Sequence, residues 1–187
     1  MIALALAASY LAGSIPFGLL IARAATGKDV RSVGSGNIGA TNVARTAGRA
    51  AAVATLLLDA VKGLLPVLLT LRLMPPWLAP ACGLAAVIGH CFPVWLRFRG
   101  GKGVATGLGV ALALSPWAAL AGAAAWLVCW KLLRISSVGS LAGVAVTLLC
   151  AAFTASRPAV LSLLALSALI VLRHKANLQR LLGRIER

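Results

Sequence analysis

The chain has 187 residues, of which 61% are hydrophobic and 11% are charged, and its mean hydropathy is +0.98. This apolar share is well above that of an ordinary soluble domain, so the composition excludes a soluble protein and predicts an integral membrane protein. The formal net charge is +15. Aromatic residues are few and the basic residues form no single stripe, so we do not expect nucleic acid as a partner.

Seven apolar stretches follow one another along the chain, separated by Gly, Pro, Ser and basic clusters. They cover residues 1–22, 50–72, 77–96, 104–115, 117–130, 138–155 and 158–172. A hydrocarbon core of ~30 Å needs about 20 helical residues, and several stretches reach that length. The region 104–130 is too long for one span, and Pro116 predicts a turn near its middle. We therefore predict an all-α polytopic membrane protein with seven transmembrane helices, forming a single domain over residues 1–187.

The basic residues predict an orientation for this bundle. Alternate loops carry the basic clusters within residues 23–49, 97–102, 131–134 and 173–187, whereas only Arg72 and Arg157 fall on the opposite side. The positive-inside rule then predicts an amino terminus outside and a carboxy terminus in the cytoplasm. Residues 1–22 lack the basic start of a signal peptide, so we expect an uncleaved first helix.

The carboxy-terminal tail, residues 173–187, has its own pattern. Leu178, Leu181, Leu182 and Ile185 recur at helical spacing among arginines. This pattern predicts a basic amphipathic helix on the anionic cytoplasmic leaflet.

Four polar segments interrupt the apolar sequence on the predicted cytoplasmic face. We call them the first motif, VGSGNIGATNVAR (33–45), the second motif, LRFRGGKGVATG (96–107), the third motif, RISSVGS (134–140), and the fourth motif, RHKANLQR (173–180). Each combines glycine, hydroxyl or amide groups with a cation. Glycine lets successive backbone N–H groups face one concavity, and such nests, like helix N-termini, bind phosphate. One motif alone is typical of an ordinary turn, and the second is not a Walker A sequence, but the four together predict an anion site.

Ionisable residues also occur within the apolar spans. Asp59 and Lys62 are three positions apart and share one helical face. A lone Lys at the bilayer centre costs ~2.5–3.5 kcal/mol, so Lys62 needs a partner or a function. A structural ion pair and a direct substrate contact both remain open. His90 is either a core histidine or a hydrogen-bonding partner of a loop. We expect no metal, because clustered carboxylates are missing.

The motifs and their order resemble the PlsY family, the bacterial acyl-phosphate:glycerol-3-phosphate acyltransferases. The resemblance rests on the first motif, DAVKG (59–63), GHCFPVWLRFRGGKGVAT (89–106), SSVGS (136–140) and RHKANLQRLLGR (173–184), and extends over nearly the whole chain. It implies transfer of a fatty acyl group from acyl phosphate to the sn-1 hydroxyl of glycerol 3-phosphate, giving lysophosphatidic acid and phosphate, the first step of phospholipid synthesis. It also implies a multi-pass inner-membrane enzyme without a cofactor, whose active site faces the cytosol. Glycerol 3-phosphate comes from the cytosol, and acyl phosphate comes from the bilayer after an upstream enzyme has made it.

The resemblance also implies roles for individual residues. The first motif is expected to hold phosphate and to position the reacting groups, and the second to bind glycerol 3-phosphate. The candidate catalytic residues are Ser35, Asn37, Arg45, Lys102 and His174. Lys62 and His90 of the apolar spans belong to the candidate substrate-binding residues, which are Gly36, Thr41, Asn42, Lys62, His90, Gly101, Gly103, Thr106, Ser136, Ser137 and Asn177.

The residues favour a direct mechanism. The His-x-x-x-x-Asp dyad of many acyltransferases is absent, because Trp95 stands five positions after His90 and Gln179 five after His174. No hydroxyl is paired with an evident base, so a covalent intermediate has little support. An acyl phosphate is already activated, so orientation and charge stabilisation supply much of the catalysis. We expect the proton to pass to a phosphate oxygen or, as second choice, to a histidine.

Two other classes of function are considered. A transporter or channel for an organic phosphate would use Gly-rich interruptions as broken helices around a midplane site. Here both Gly-rich motifs fall at the cytoplasmic boundary, and the two halves of the chain show no convincing duplication. A lipid-binding scaffold would leave the phosphate-binding motifs without a purpose.

Overall fold

The computed structural model describes residues 1–185, so Glu186 and Arg187 of the predicted tail lie outside the described residues. The described chain is helical and contains no strand, which confirms the predicted all-α class. Its α-helices are α1 (Ile2–Ser14), α2 (Phe17–Thr26), α3 (Ala40–Leu73), α4 (Ala79–Cys91), α5 (Val104–Leu114), α6 (Pro116–Leu133), α7 (Ser136–Thr154), α8 (Arg157–Arg173) and α9 (Lys175–Ile185). Short 3-10 helices cover Val30–Ser32, Pro76–Leu78 and Val94–Leu96.

Most residues of all seven predicted apolar stretches are helical, but the helices differ in length. Within residues 1–185, five helical segments are long and apolar enough to cross a membrane, and α8 with α9 makes a sixth if that pair, bent by 53°, is one span. The remaining segment, α5, has 11 residues and spans only about 16 Å at 1.5 Å per residue. The count of seven crossings and the orientation of the termini therefore stay predictions.

Two prolines, Pro116 and Pro16, bear on how the predicted apolar stretches divide into helices. Pro116 begins α6 directly after α5 ends, as predicted, since proline is tolerated in the first turn of a helix. Pro16, in contrast, divides the first apolar segment, which was expected to be one helix, into α1 and α2. Ile15 at this break is extended, with φ −62° and ψ 119°, so its carbonyl leaves the helical ladder.

Helix α3 is bent near its start. Gly48 has φ 84° and ψ 177°, a conformation that glycine adopts readily, and it separates a short first piece from the apolar stretch that follows. The helix already begins at Ala40. The carboxy-terminal half of the first motif, a polar segment between apolar stretches, is therefore helical.

Close helix approaches hold the bundle together. Helix α3 meets α5 where a Cβ added to Gly63 would overlap the Thr106 carbonyl, and α1 meets α4 where a Cβ on Gly13 would overlap Ala86. Small residues at such crossings allow the close packing on which helix association in lipid depends. Val87, which is fully buried, lies in an apolar core cluster with residues of α3, α5 and α8. These contacts fix the helix ends that carry the motifs.

Candidate active site

Each of the four motifs contains the start of a helix. Helix α3 begins at Ala40 in the first motif, α5 at Val104 in the second, α7 at Ser136 in the third and α9 at Lys175 in the fourth. The first N–H groups of a helix have no intrahelical acceptor, and the macrodipole gives this end a partial positive charge. Helix N-termini are therefore ready-made sites for phosphate. The four motifs share this feature despite their different sequences.

Side-chain contacts bring the motifs together. The hydroxyls of Thr41 and Ser136 hydrogen-bond to each other at 3.1 Å and thereby join the first motif to the third. Lys102 Nζ donates to Asn177 Oδ1 at 2.5 Å and joins the second motif to the fourth. Leu96 of the second motif packs against a core cluster that contains Ile38 and Val43 of the first, so these two motifs are also neighbours. The predicted anion-binding segments thus meet at one end of the bundle.

The first motif is braced from inside by Asn42, which is 2% exposed. Its Oδ1 accepts a hydrogen bond from the Ser35 N–H at 3.0 Å. Its Nδ2 donates to the carbonyls of Val30 and Val33 at 2.8 and 2.9 Å. The structure therefore shows that Asn42 braces the first motif through both ends of its amide, while its predicted substrate contact stays a prediction.

Other groups of the first motif remain available to a ligand. Ser35, Gly36, Thr41 and Arg45 are exposed. Asn37 Oδ1 accepts from the Gly39 N–H at 2.8 Å, which orients the side chain and leaves its NH₂ group free to donate. The motif thus presents hydroxyl, amide and guanidinium donors on a braced backbone.

The second motif is clamped by Arg173, a residue that the sequence analysis did not single out. Arg173 donates from Nε to the Gly101 carbonyl at 3.0 Å and from Nη2 to the Gly100 carbonyl at 2.8 Å. Its guanidinium also lies over the Phe92 ring, 5.2 Å from the centroid. The only sequence signal for this role was its position directly before His174 in the fourth motif.

Lys102 lies in a strongly cationic environment. Burial, followed by the charges of Arg180, Arg173 and Arg45, lowers the pKa of Lys102 from its ordinary 10.5 to about 8. Within residues 1–185 no carboxylate pairs with this ammonium, and Asn177, its hydrogen-bond partner, is neutral. A phosphate dianion at this position would supply the missing charge.

The interior residues form a separate cluster below the motifs. Asp59 Oδ1 lies 2.7 Å from Lys62 Nζ, which confirms that the two residues pair, and 3.7 Å from His90 Nδ1. Asp59, Lys62 and His90 are 2%, 5% and 3% exposed, respectively. Lys62 also donates to the Ile15 carbonyl at 2.7 Å. The structure thus shows the ion pair, and it shows Lys62 occupied by protein groups.

The remaining candidates are buried to different degrees. His174 is 1% exposed, and its Nδ1 donates to the Ile170 carbonyl at 2.8 Å, which leaves Nε2 as the free ring nitrogen. Gly101, Gly103 and Thr106 are buried at the start of α5, whereas Ser137 is half-buried. The Thr106 hydroxyl has no hydrogen-bond partner among the described residues.

A groove of about 580 Å³ opens between the first and second motifs. It is lined by Asp29, Arg31, Ser32, Gly36, Phe98, Arg99, Gly100 and Arg173. The Arg31 guanidinium, 2.6 Å from Asp29, lowers the pKa of that carboxyl to about 2. Three arginines against one carboxylate leave the groove cationic, as an approach path for an anionic substrate requires.

Comparison with known proteins agrees with the predicted resemblance. The family model described as glycerol-3-phosphate acyltransferase matches residues 3–184. The chain is 55% identical over 183 residues to the glycerol-3-phosphate acyltransferase of Anaeromyxobacter sp. (strain Fw109-5), covering 94% of this chain and 90% of that protein. It is 53% identical over 181 residues to the Myxococcus xanthus (strain DK1622) protein of the same name, covering 95% and 94%.

Solved structures with the same architecture extend this comparison. The fold matches the crystal structure of PlsY (YgiH), an integral membrane glycerol 3-phosphate acyltransferase, in its glycerol 3-phosphate form, with a TM-score of 0.92 and 38% identity over 97% of this chain and 92% of that one. The lysophosphatidic acid form gives a TM-score of 0.90 and 37% identity, with the same coverage. Sequence and fold agree over nearly the full length, and the chain belongs to the glycerol-3-phosphate acyltransferase family.

Proposed function

We propose that this protein transfers a fatty acyl group from acyl phosphate to the sn-1 hydroxyl of glycerol 3-phosphate, releasing lysophosphatidic acid and inorganic phosphate. The observation that carries the proposal is the convergence of four helix N-termini, joined by the Thr41–Ser136 and Lys102–Asn177 contacts. Both substrates bear phosphate, so the reaction needs two neighbouring sets of anion donors. Relatives solved in glycerol 3-phosphate and lysophosphatidic acid forms support this substrate and product.

The chemistry is a direct displacement. The sn-1 hydroxyl oxygen attacks the acyl carbonyl carbon, the bond from that carbon to the phosphate oxygen breaks, and phosphate leaves with the electron pair. The hydroxyl proton passes to a phosphate oxygen. Lys102 and Arg45 neutralise the two phosphates, which would otherwise repel each other, and donors near Ser35 and Asn37 stabilise the oxyanion. Loss of one such donor costs ~2.7–4 kcal/mol in other enzymes.

The geometry ranks the two histidines as alternative proton acceptors. His90 lies behind Gly101, where its ring contacts the backbone of the second motif. His174 has one free ring nitrogen, Nε2, because Nδ1 bonds to the Ile170 carbonyl. Both rings are almost fully buried, but His90 has Asp59 3.7 Å from Nδ1 and the Gly101 backbone against Nε2, so we rank His174 second after substrate phosphate.

The proposed reaction also implies a location for the enzyme. The enzyme would lie in the bacterial inner membrane with its site on the cytoplasmic face, where a lipid-borne donor meets a water-borne alcohol. Glycerol 3-phosphate would approach through the cationic groove from the cytosol. Acyl phosphate, supplied by an upstream enzyme, would keep its tail among the apolar helices.

The experiment that tests this proposal compares donors. The purified protein in lipid nanodiscs receives radiolabelled glycerol 3-phosphate with either palmitoyl phosphate or palmitoyl-CoA. We expect labelled lysophosphatidic acid with palmitoyl phosphate alone. Product from the thioester alone would overturn the assignment of the donor. Counterflow of labelled glycerol 3-phosphate in proteoliposomes, without product from either donor, would favour a transporter.

A further inference from the structure

Three ionisable side chains meet beneath the candidate site, inside the bundle. Asp59 and Lys62 come from α3 and His90 comes from α4. One carboxylate oxygen, Asp59 Oδ1, lies within 2.7 Å of the ammonium and 3.7 Å of the imidazole. Burying ions in lipid is costly, so such a cluster indicates a function beyond filling space.

His90 connects this cluster to the second motif. The Gly101 N–H donates to the His90 carbonyl at 3.0 Å. A Cβ on Gly101 would overlap His90 Nε2, so the ring lies directly against the motif backbone. Lys102 is the next residue, and its backbone position therefore depends on where the His90 ring is held.

Lys62 connects the same cluster to the first motif. Its ammonium donates to the Ile15 carbonyl, which the break before Pro16 has left outside the helical ladder. Helix α2 begins immediately after this break, and the Phe17 ring lies 5.6 Å from Lys62 Nζ. The next residue, Gly18, packs against the first motif so closely that an added Cβ would overlap the Ile38 carbonyl.

From these contacts we infer that Asp59, Lys62 and His90 are positioning residues that set the separation between the first and second motifs. The inference rests on the proposed function, in which each motif holds part of a phosphate-bearing substrate. The three side chains are almost fully enclosed and already contact protein groups, so they act through Ile15 and Gly101 and not on the substrate. A misplacement of a reacting group by about 1 Å can cost roughly 100-fold in rate, so residues that only position the motifs can still affect the rate.

The test uses Asp59→Asn, Lys62→Met and the double variant in lipid nanodiscs, with kcat, KM and melting temperature measured for each. Either single variant leaves one buried charge unpaired, and we expect a lower melting temperature and a kcat/KM for glycerol 3-phosphate reduced roughly 10- to 100-fold. The double variant removes both charges. Its melting temperature should recover, whereas its kcat/KM should stay as low as that of the single variants, because the two residues act as one unit.

Ser115→Ala provides a matched control. Ser115 is buried, and its hydroxyl hydrogen-bonds to Thr154 Oγ1 at 2.8 Å, at the end of α5 opposite the second motif. This variant also loses a buried polar contact and should lower the melting temperature. Its kcat/KM should remain that of the wild type, because it does not touch either motif.

Two results would overturn the inference. If the double variant had a recovered melting temperature and the kcat/KM of the wild type, the Asp59–Lys62 pair would contribute only to stability. An inactive Lys62→Met beside a fully active Asp59→Asn would mean that Lys62 contacts the substrate directly. If the wild type makes no product from acyl phosphate, the proposed function fails separately. Calorimetry of glycerol 3-phosphate binding then still compares the same variants. We expect the dissociation constants to rank the variants in the same order as kcat/KM would.

Discussion

Lys102 and Asn177, 75 positions apart in the sequence, are joined by a hydrogen bond from the Lys102 ammonium to the Asn177 amide oxygen. The bond orients a cation that several arginines surround, without neutralising it. A neutral partner leaves the full positive charge for a phosphate. The site thus combines a fixed lysine position with a cation that no carboxylate of residues 1–185 pairs with, which favours anion binding.

Asn177→Ala removes this orienting partner. Hydrogen bonds to charged groups contribute ~1.5–3 kcal/mol, so we expect kcat/KM for glycerol 3-phosphate to fall roughly 10- to 100-fold. Gln179→Ala, an exposed substitution on the same helix α9, serves as the control and should keep wild-type kinetics. Equal kinetics for the two variants would mean that the Lys102–Asn177 bond has no role in the reaction.

Lys102 also predicts a pH dependence. Its pKa of about 8 means that the ammonium is mostly protonated at pH 7 and loses its proton as the pH rises through 8. The anion-binding charge is therefore present at low pH and lost at high pH. We expect KM for glycerol 3-phosphate to rise between pH 7 and 9.

Lys102→Arg tests the source of that dependence, because a guanidinium stays charged throughout this range. Its KM should be higher than that of the wild type at pH 7, since a guanidinium differs in shape from an ammonium. That KM should not change between pH 7 and pH 9. The same rise in KM in this variant would assign the titration to another group.

Arg173→Gln should disrupt the second motif. The substitution removes both hydrogen bonds to the Gly100 and Gly101 carbonyls and the contact with Phe92. We expect a fall in kcat/KM of roughly 10-fold or more, because Lys102 follows the freed segment. Arg157→Gln, at the other end of the same helix α8, should have no effect on turnover. A comparable loss in both would point to a general effect of charge.

Asn42→Ala tests the internal brace of the first motif. It deletes three hydrogen bonds from a buried side chain and leaves the carbonyls of Val30 and Val33 without that donor. Unpaired buried polar groups cost ~1–3 kcal/mol each, so both melting temperature and activity should fall. If Asn42 only contacted substrate, the apo melting temperature would be unchanged.

Local chemistry explains which features were predictable from the sequence. The turn at Pro116 follows from the missing N–H and steric clash of proline, and the pairing of Asp59 with Lys62 follows from helical spacing. The break at Pro16 was missed because it lies inside an unbroken apolar run. The helix start at Ala40 was hidden within a Gly- and Asn-rich segment whose composition favours a loop.

The candidate site was predictable as a set of segments but not as a geometry. Repeated glycine, hydroxyl and cationic groups identified the motifs one by one. The contacts of Thr41 with Ser136 and of Lys102 with Asn177 depend on tertiary packing, which no local pattern encodes. For the same reason the sequence did not predict the internal hydrogen bonds of Asn42 or the clamp by Arg173.

The most direct test of the central claim is acyl transfer by wild type, Arg45→Ala and Arg49→Ala in nanodiscs with palmitoyl phosphate and labelled glycerol 3-phosphate. Both arginines are exposed, but Arg45 belongs to the first motif whereas Arg49 lies beyond the bend at Gly48. We predict labelled lysophosphatidic acid from wild type and Arg49→Ala, and a loss of at least roughly 100-fold in Arg45→Ala, as expected for removal of transition-state charge stabilisation. Equal product from all three proteins would contradict a reaction site built on the first motif.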